Sequence, residues 1–153
     1  MRANDWTLAV DTYNIGKLFH SNWDLAVLAL LRDGPRRPRD LARMAAEWPF
    51  LDRWNGTKAT LSPSRITEAL RVLTEEGLVY KTTLSEGWDR SVEYGLTDAG
   101  AELLPVLESM QAWLRRHADL FENADGSPRH RRAGKTRSAG PKTRSAGRRR
   151  ASK

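Results

Sequence analysis

The chain has 153 residues, 29% of them charged, a formal net charge of +7 and no cysteine. Without cysteine it cannot form disulfides, thiolate metal sites or thiol-based redox sensors, and this composition fits a reducing cytoplasm. No apolar run approaches the roughly 18 residues of a transmembrane helix, and the start MRANDWTLAVDTYN does not read as a signal peptide. We therefore expect a cytoplasmic protein with one domain of ordinary size.

The charge is distributed unevenly along the chain. Residues 123–153 hold 11 Lys/Arg and one acidic residue, a net charge of +10, whereas residues 1–122 hold 15 Lys/Arg and 18 acidic residues, a net charge of −3. Within this acidic body, residues 32–71 contain nine Lys/Arg against five acidic residues. A local basic patch of this kind is typical of a surface that binds nucleic acid.

Two helices are predicted near the N-terminus. The first covers about residues 5–19, where partly periodic apolar residues are interrupted by Gly16. The second begins at Ser21 as N-cap, with Asp24 in the position of a capping-box acid, and ends at Gly-Pro 34–35.

Two further helices follow. One starts near Pro38 and ends at Pro49, and the next has Ser62 as N-cap, Pro63 in its first turn and Gly77 at its end. The second of these is amphipathic, because apolar residues recur at helical spacing along one face. They are Ile66, Ala69, Leu70 and Leu73.

A β-hairpin and a long helix complete the body. Residues 78–84 and 91–96 are rich in β-branched and aromatic residues and are separated by the polar SEGWDR, which predicts a hairpin. Thr97 then caps a helix that runs to about residue 117 and contains Pro105, which is expected to kink it.

The C-terminal segment has low complexity. KTRSAG occurs at 135–140 and again at 142–147, and apolar residues that could offset the entropy of ordering are lacking. The sequence therefore predicts a body of residues 1–122 and a disordered basic tail of residues 123–153.

The order of elements is that of a winged helix-turn-helix: mainly α, with a small antiparallel β-hairpin. In such folds the helix in the position of residues 62–76 enters the major groove, and the hairpin at about 78–96 lies on the DNA backbone. Arginines and hydroxyl side chains can bind phosphates or bases, and a glutamate can accept from cytosine. The candidate DNA contacts are Arg36, Arg37, Arg39, Ser62, Ser64, Arg65, Thr67, Glu68 and Arg71.

Three stretches within residues 22–113 resemble HxlR-type winged-helix transcriptional regulators: NWDLAVLALLRDGPRRPRDLAR, LSPSRITEALRVLTEEGLVYK and RSVEYGLTDAGAELLPVLESMQAW. The resemblance implies a homodimeric DNA-binding repressor or activator, no catalytic activity, and dimerisation through the N- and C-terminal helices. It adds Lys81 and Arg90 as wing contacts to DNA. The family also commonly has a proline in the position of Pro105.

The chain departs from this family pattern in three places. The family's usual N-terminal cysteine is missing, so a thiol sensing mechanism cannot be carried over. Residues 47–60 are about ten residues longer than the usual turn, with Asn-Gly 55–56 suggesting a tight turn inside them. The wing tip SEGWDR replaces a proline-rich version, and within it Arg90 matches best.

The aromatic residues have competing interpretations. Trp23 and Trp113 are expected in the core or a dimer contact, and Trp88 in an ordinary turn contact at the wing tip. Trp48, Phe50 and Trp54 could line an effector pocket, although a loop packing its own aromatics onto the body is favoured.

The sequence thus predicts a dimeric, sequence-specific regulator that binds double-stranded DNA without a cofactor. No catalytic or metal-binding motif argues for an enzyme. One apolar stripe on the last helix is the expected dimer interface: Leu103, Leu107, Met110 and Leu114. The alternative is a nucleoid-associated or protein-interaction module whose basic tail binds nucleic acid non-specifically. The operator, any small-molecule effector and the direction of regulation stay open.

Overall fold

The computed structural model describes residues 3–86 and 89–129, and side chains from residue 6 onward except at 85–89. In this part of the chain five α-helices and four β-strands are formed, with a short 3₁₀ helix at Ala118–Leu120. The elements are α1 (Ala3–Lys17), α2 (Asn22–Leu30), α3 (Pro38–Glu47), β1 (Phe50–Asp52), β2 (Thr57–Ala59), α4 (Pro63–Glu75), β3 (Val79–Glu86), β4 (Asp89–Leu96) and α5 (Asp98–Arg116).

The core is built around α4, which packs against α2, α3 and the start of β3. The apolar face expected for α4 is confirmed, because Ile66, Leu70 and Leu73 are at most 1% exposed. Residues from the neighbouring elements complete the same cluster: Val27, Leu28, Leu31, Leu41, Ala45, Leu61, Leu78 and Val79. Burying one face of α4 in this way leaves its other face directed to solvent.

The predicted start of α2 is confirmed in detail. Ser21 and Asp24 form a reciprocal capping box. The Asp24 carboxylate is 1% exposed and accepts hydrogen bonds from the backbone N–H groups of His20, at 2.6 Å, and Ser21, at 2.9 Å. A buried charge is tolerated here because backbone donors at the helix start satisfy it.

Strands β3 and β4 form the expected antiparallel hairpin, here called the wing, with Val79 opposite Leu96 and Glu86 opposite Asp89. Arg36 pairs with Tyr94 on β4 through two backbone hydrogen bonds. The N–H of Arg36 donates to the carbonyl of Tyr94 at 2.8 Å, and the N–H of Tyr94 donates to the carbonyl of Arg36 at 2.9 Å. Because Arg36 precedes α3, this bridge ties the wing to the start of the helix-turn-helix. Trp88, which was expected in a turn contact at the wing tip, lies outside the described part of the chain.

A second hairpin is the main addition to the expected fold class. Strands β1 and β2 pair antiparallel with Phe50 opposite Ala59 and form the inserted hairpin, residues 50–59. The expected turn at Asn-Gly 55–56 is present, and Gly56 adopts a φ of 73°, a conformation that glycine adopts without steric cost. The long connection between α3 and α4 is therefore an ordered β-structure and not an open loop.

The first helix was expected at about residues 5–19, and α1 begins and ends two residues before those bounds. Every residue from 6 to 17 is exposed. It carries several large apolar side chains on this exposed surface: Trp6, Leu8, Val10, Tyr13 and Ile15. An isolated helix of this length is marginal in water. No helix in the described part of the chain is long and apolar enough to cross a membrane.

The last helix, α5, continues through Pro105 and ends one residue before its expected end. Residues 121–129, here called the C-terminal turn, fold back on themselves, with a backbone bridge between Glu122 and Pro128. The first seven residues assigned to the basic tail, 123–129, thus have a defined hydrogen-bonded backbone. The predicted disorder of residues 130–153 lies outside the described residues.

The buried capping box gives a first prediction. Replacing Asp24→Ala removes the acceptor of two backbone donors, so the free energy of unfolding should fall by about 1–3 kcal/mol. Urea denaturation followed by circular dichroism measures this change. The control Glu76→Ala removes an exposed carboxylate after α4 and should stay within about 0.5 kcal/mol. Equal, small losses in both variants would contradict a stabilising role for the box.

Candidate nucleic-acid interface

The exposed face of α4 brings together the polar side chains expected to contact DNA. Ser64, Arg65, Thr67, Glu68 and Arg71 are all exposed, whereas the apolar residues between them are buried. Ser62, the N-cap, is half-buried and accepts from the backbone N–H of Arg65. The amphipathic spacing in the sequence therefore places these groups on one accessible surface, as expected.

Arg65 in the first turn of α4 is held by two contacts that the sequence does not reveal. Its guanidinium carbon lies 5.3 Å from the ring centroid of Trp23 on α2. Its Nη1 donates a hydrogen bond to the backbone carbonyl of Thr60, just before the helix. Stacking on an aromatic ring and one fixed hydrogen bond restrict the rotamers of the side chain, while the residue stays exposed.

Arg71, two turns further along α4, has different surroundings. Its Nη2 and Nε donate to Glu68 at 2.6 and 3.1 Å, and its Nη1 donates to Glu75 at 2.7 Å. The hydrogen bond from Arg71 lowers the pKa of Glu68, and the bonds to Glu68 and then Glu75 raise the pKa of Arg71. With two carboxylates on one guanidinium, this cluster carries a net charge of −1 at neutral pH.

The hydroxyl groups at the start of α4 take part in local hydrogen bonds. The Ser62 and Ser64 hydroxyls lie 3.1 Å apart, and the Thr67 hydroxyl donates to the carbonyl of Pro63 at 3.0 Å. A hydroxyl oxygen that donates in this way still has lone pairs to offer. The N-terminal half of α4 therefore combines one positioned cation with several small polar groups.

The remaining candidate contacts flank α4. Arg36 and Arg37 are half-buried, and the Nε of Arg36 is buried without a hydrogen-bond partner among the described residues. Arg39 is exposed in the first turn of α3, and Lys81 and Arg90 are exposed on the two strands of the wing. Among the side chains that the structure describes, no ion pair joins any of these five cations to a carboxylate, in contrast to Arg71.

Sequence reasoning missed three residues that shape this surface: Trp23, Thr60 and Glu75. Trp23 packs against the core, as expected, and in addition supports Arg65, which was not expected. The i, i+4 spacing of Arg71 and Glu75 was a signal that could have predicted their ion pair. The Thr60 contact had no signal in the sequence, because it depends on the backbone path between the inserted hairpin and α4.

The aromatic residues of the insertion have separate environments. Phe50 packs edge-to-face on Trp23, with ring centroids 5.2 Å apart, and Trp54 packs on Phe121, at 5.3 Å. Packing of these two rings onto the body is as expected, whereas Trp48 is 76% exposed. A cavity of about 540 Å³ lies between α2 and the inserted hairpin and is lined by Trp23 and Phe50.

The expected dimer residues on α5 fall into two groups. Leu103 and Leu107 pack against the core of the same chain, so they are not available as an open interface. Leu114 is half-buried, and Met110 is 57% exposed. The open apolar surface of α5 is formed by Val106, Met110 and Trp113, beside a cavity of about 450 Å³.

Helices α2, α3 and α4 followed by a two-stranded wing define the class of winged helix-turn-helix proteins. The family model of the HxlR-like helix-turn-helix matches residues 18–121, about two thirds of the chain, so the protein belongs to that family. Membership of this family implies DNA binding, and solved structures similar to the chain are described as transcriptional regulators. Among proteins of curated function, none matches the chain significantly.

Solved structures agree with this fold. The reduced form of the transcriptional regulator YodB from B. subtilis is 23% identical over 72% of this chain and 94% of its own, with a TM-score of 0.56. A putative transcriptional regulator of the MarR family from Enterococcus faecalis V583 is 25% identical over 72% of this chain and 88% of its own, with a TM-score of 0.54. The reduced form of the redox regulator HypR is 20% identical over 72% of this chain and 95% of its own, with a TM-score of 0.57.

The ion cluster on α4 gives a second prediction. Replacing Arg71→Gln removes the guanidinium that favours the ionised form of Glu68, so the pKa of Glu68 should rise toward its ordinary value. An NMR pH titration of the glutamate side-chain carboxyl carbons measures this. The matched control Arg43→Gln removes an arginine paired with Asp40 on α3 and should leave Glu68 unchanged. An unchanged Glu68 titration in both variants would show that the cluster does not form in solution.

Proposed function

We propose that the protein is a dimeric, sequence-specific transcriptional regulator that inserts α4 into the major groove and lays the wing along the DNA backbone. One observation carries this proposal: the exposed face of α4 holds five of the six candidate DNA contacts at this helix, all except the N-cap Ser62, while the opposite face is buried in the core. A helix fixed on one side and polar on the other suits insertion into a groove about 12 Å wide.

Arg65 is the principal base reader in this proposal. It lies in the first turn of α4, where helix-turn-helix proteins approach base edges, and an arginine can bond guanine through two donors. Arg71 is less suited to this task, because DNA would have to displace Glu68 and Glu75 from it. Arg36, Arg37, Arg39, Lys81 and Arg90 are assigned to phosphates, which position the protein without reading sequence.

A second copy of the chain would cover the two exposed apolar faces. Helix α1 is exposed along residues 6–17, and α5 presents Val106, Met110 and Trp113. Contiguous exposed apolar residues mark interaction sites. A two-fold dimer would direct two α4 helices to half-sites about 34 Å apart.

The second candidate function is a winged-helix module that binds nucleic acid non-specifically through residues 130–153. Ten Lys/Arg and no acidic residue in that segment favour it. A mobility-shift assay on the DNA upstream of the protein's own gene, with excess competitor, separates the two candidates. A discrete, competitor-resistant complex supports the regulator, whereas loss of all complexes to competitor supports the non-specific module.

A third prediction concerns Arg65 on such an operator. Arg65→Ala should cost about 1–3 kcal/mol of specific binding and relax the preference at one base position. Arg65→Lys is the matched control for charge, since it keeps the cation but loses the planar fork; non-specific affinity should survive and base preference should fall. Binding of both variants to operator and random duplexes measures the effect, with thermal unfolding as the check on folding. Unchanged base preference in both would exclude Arg65 as the reader.

The apolar surface of α5 gives a fourth prediction. Met110→Asp places a charge in the proposed dimer contact, so sedimentation should show folded monomers and weaker operator binding. Ala101→Asp is the control on the same helix, because residue 101 is exposed near the helix start, where an acid is tolerated. Leu107→Asp should instead unfold the chain, as that leucine packs on the core. A Met110→Asp dimer of undiminished stability would place the interface elsewhere.

A further inference from the structure

Both contacts that hold Arg65 lead back to the open end of the inserted hairpin. Phe50, the first residue of β1, lies opposite Ala59, the last residue of β2, and Thr60 follows Ala59 directly. One register pair therefore fixes the Phe50 ring and the Thr60 carbonyl relative to each other. The ring reaches Arg65 through Trp23, and the carbonyl accepts a hydrogen bond from Arg65 itself.

The aromatic contacts form a row from the hairpin to α4. The Phe50 and Trp23 rings meet edge-to-face, with 88° between the ring planes and 5.2 Å between the centroids. The Arg65 guanidinium lies over the Trp23 ring, with 5.3 Å from its central carbon to the centroid. Phe50 and Trp23 are half-buried and Arg65 is exposed, so the row runs from the body to the surface. Phe50 thus restricts the Trp23 ring, and Trp23 restricts the rotamers of Arg65.

The inserted hairpin is also supported at its far end, by α5 and the C-terminal turn. The Nε and Nη2 of Arg53 donate to the carboxylate of Glu122 at 2.9 and 2.5 Å. The Trp54 ring packs on Phe121, with 5.3 Å between the centroids. Because contacts hold the hairpin at both ends, its open end has a defined position beside the start of α4.

The Arg65 guanidinium keeps a fork of free donors in this arrangement. Its Nη1 donates to the Thr60 carbonyl, whereas its Nε and Nη2 donate no hydrogen bond to the residues that the structure describes. The parallel N–H groups of such a fork match the two acceptors of guanine in the major groove, O6 and N7. Adenine presents an amino group beside N7, so it cannot accept both bonds. A guanidinium oriented in this way therefore suits guanine.

We propose that the open end of the inserted hairpin is a positioning element for base reading: through Trp23 and the Thr60 carbonyl it orients the free fork of Arg65 for one guanine in each half-site. The proposal rests on the proposed function and names the base that is read and the residues that set the preference for it. Phe50 and Trp23 are positioning residues, since they act through Arg65 and not through contacts of their own with DNA.

The size of the effect follows from conformational entropy. A long side chain that is already restricted in the free protein loses less freedom when it binds a base. Ordering one such side chain changes affinity about 2- to 10-fold. Loss of the hairpin's support should therefore weaken base reading by about this factor without abolishing it.

The test uses full-length protein and an operator duplex, and its reference is the base position at which Arg65→Ala relaxes the preference. Phe50→Ala withdraws the hairpin from Trp23. Trp23→Leu keeps apolar volume but removes the aromatic face, and Trp23→Phe keeps an aromatic face. Leu51→Ala is the matched control, because it shortens a neighbouring side chain on β1 that is 63% exposed. If Phe50→Ala does not fold, Phe50→Leu takes its place.

Two measurements separate orientation from binding. In the free protein, the Nε–H resonance of Arg65 reports the ring current of Trp23, and nitrogen relaxation at Nε reports the order of the side chain. On DNA, affinity is measured for the operator, for each replacement of the reference base and for random duplexes. Every variant is repeated in the Arg65→Ala background, where an effect that acts through Arg65 must vanish.

We expect Phe50→Ala and Trp23→Leu to lower the order of the Arg65 side chain and to reduce the preference for the reference base about 2- to 10-fold. Affinity for random duplexes should not change. Trp23→Phe should keep most of the preference, and Leu51→Ala all of it. The reference base should be guanine, and 7-deazaguanine in its place, which lacks the N7 acceptor, should weaken binding by wild-type protein but not by Arg65→Ala.

Three results would overturn the positioning role. One is full base preference in both Phe50→Ala and Trp23→Leu while Arg65→Ala relaxes it. Another is an equal loss in the Arg65→Ala background, which would assign the effect to packing between α2 and α4. The third is a reference base other than guanine. Failure of the proposed function is distinguishable from these, because wild-type protein would then show no preference for operator over random duplex.

Discussion

The burial of one face of α4 is the constraint on which the rest of the structure depends. Ile66, Leu70 and Leu73 are enclosed by α2, α3 and the start of the wing, so α4 cannot rotate without exposing its apolar side chains. At about 1.5–3 kcal/mol for each large apolar side chain removed from water, this burial fixes the orientation of the polar face. Every candidate DNA contact on the helix derives its direction from that packing.

Charge then divides the exposed face of α4 into two parts. Near its start, Arg65 is the cation, supported by Trp23 and the carbonyl of Thr60. Further along, Glu68 and Glu75 neutralise Arg71 and leave a small negative charge. In the proposed complex a DNA duplex would be attracted to the first part and repelled by the second, which favours contact at the helix start.

The secondary structure could largely be predicted from the sequence, because its signals are local. Ser21 with Asp24, Ser62 with Pro63, and Thr97 each mark a helix start that the structure contains. The amphipathic spacing of α4 also gave the correct division between buried and exposed residues. The inserted hairpin escaped prediction, since three-residue strands are too short for an alternating pattern to register.

The sequence by itself determined the order of elements, the polar face of α4 and the concentration of positive charge after residue 129, since spacing and composition encode these directly. Tertiary structure alone decided that Leu107 packs inward while Met110 stays exposed, that Trp23 supports Arg65, and that Arg53 meets Glu122. The two contacts join residues 42 positions apart (23 and 65) and 69 positions apart (53 and 122), and the difference between Leu107 and Met110 depends on which face of α5 packs on the core. Local sequence patterns carry no information on such contacts, because the contacts form only when separate elements pack together in the folded chain.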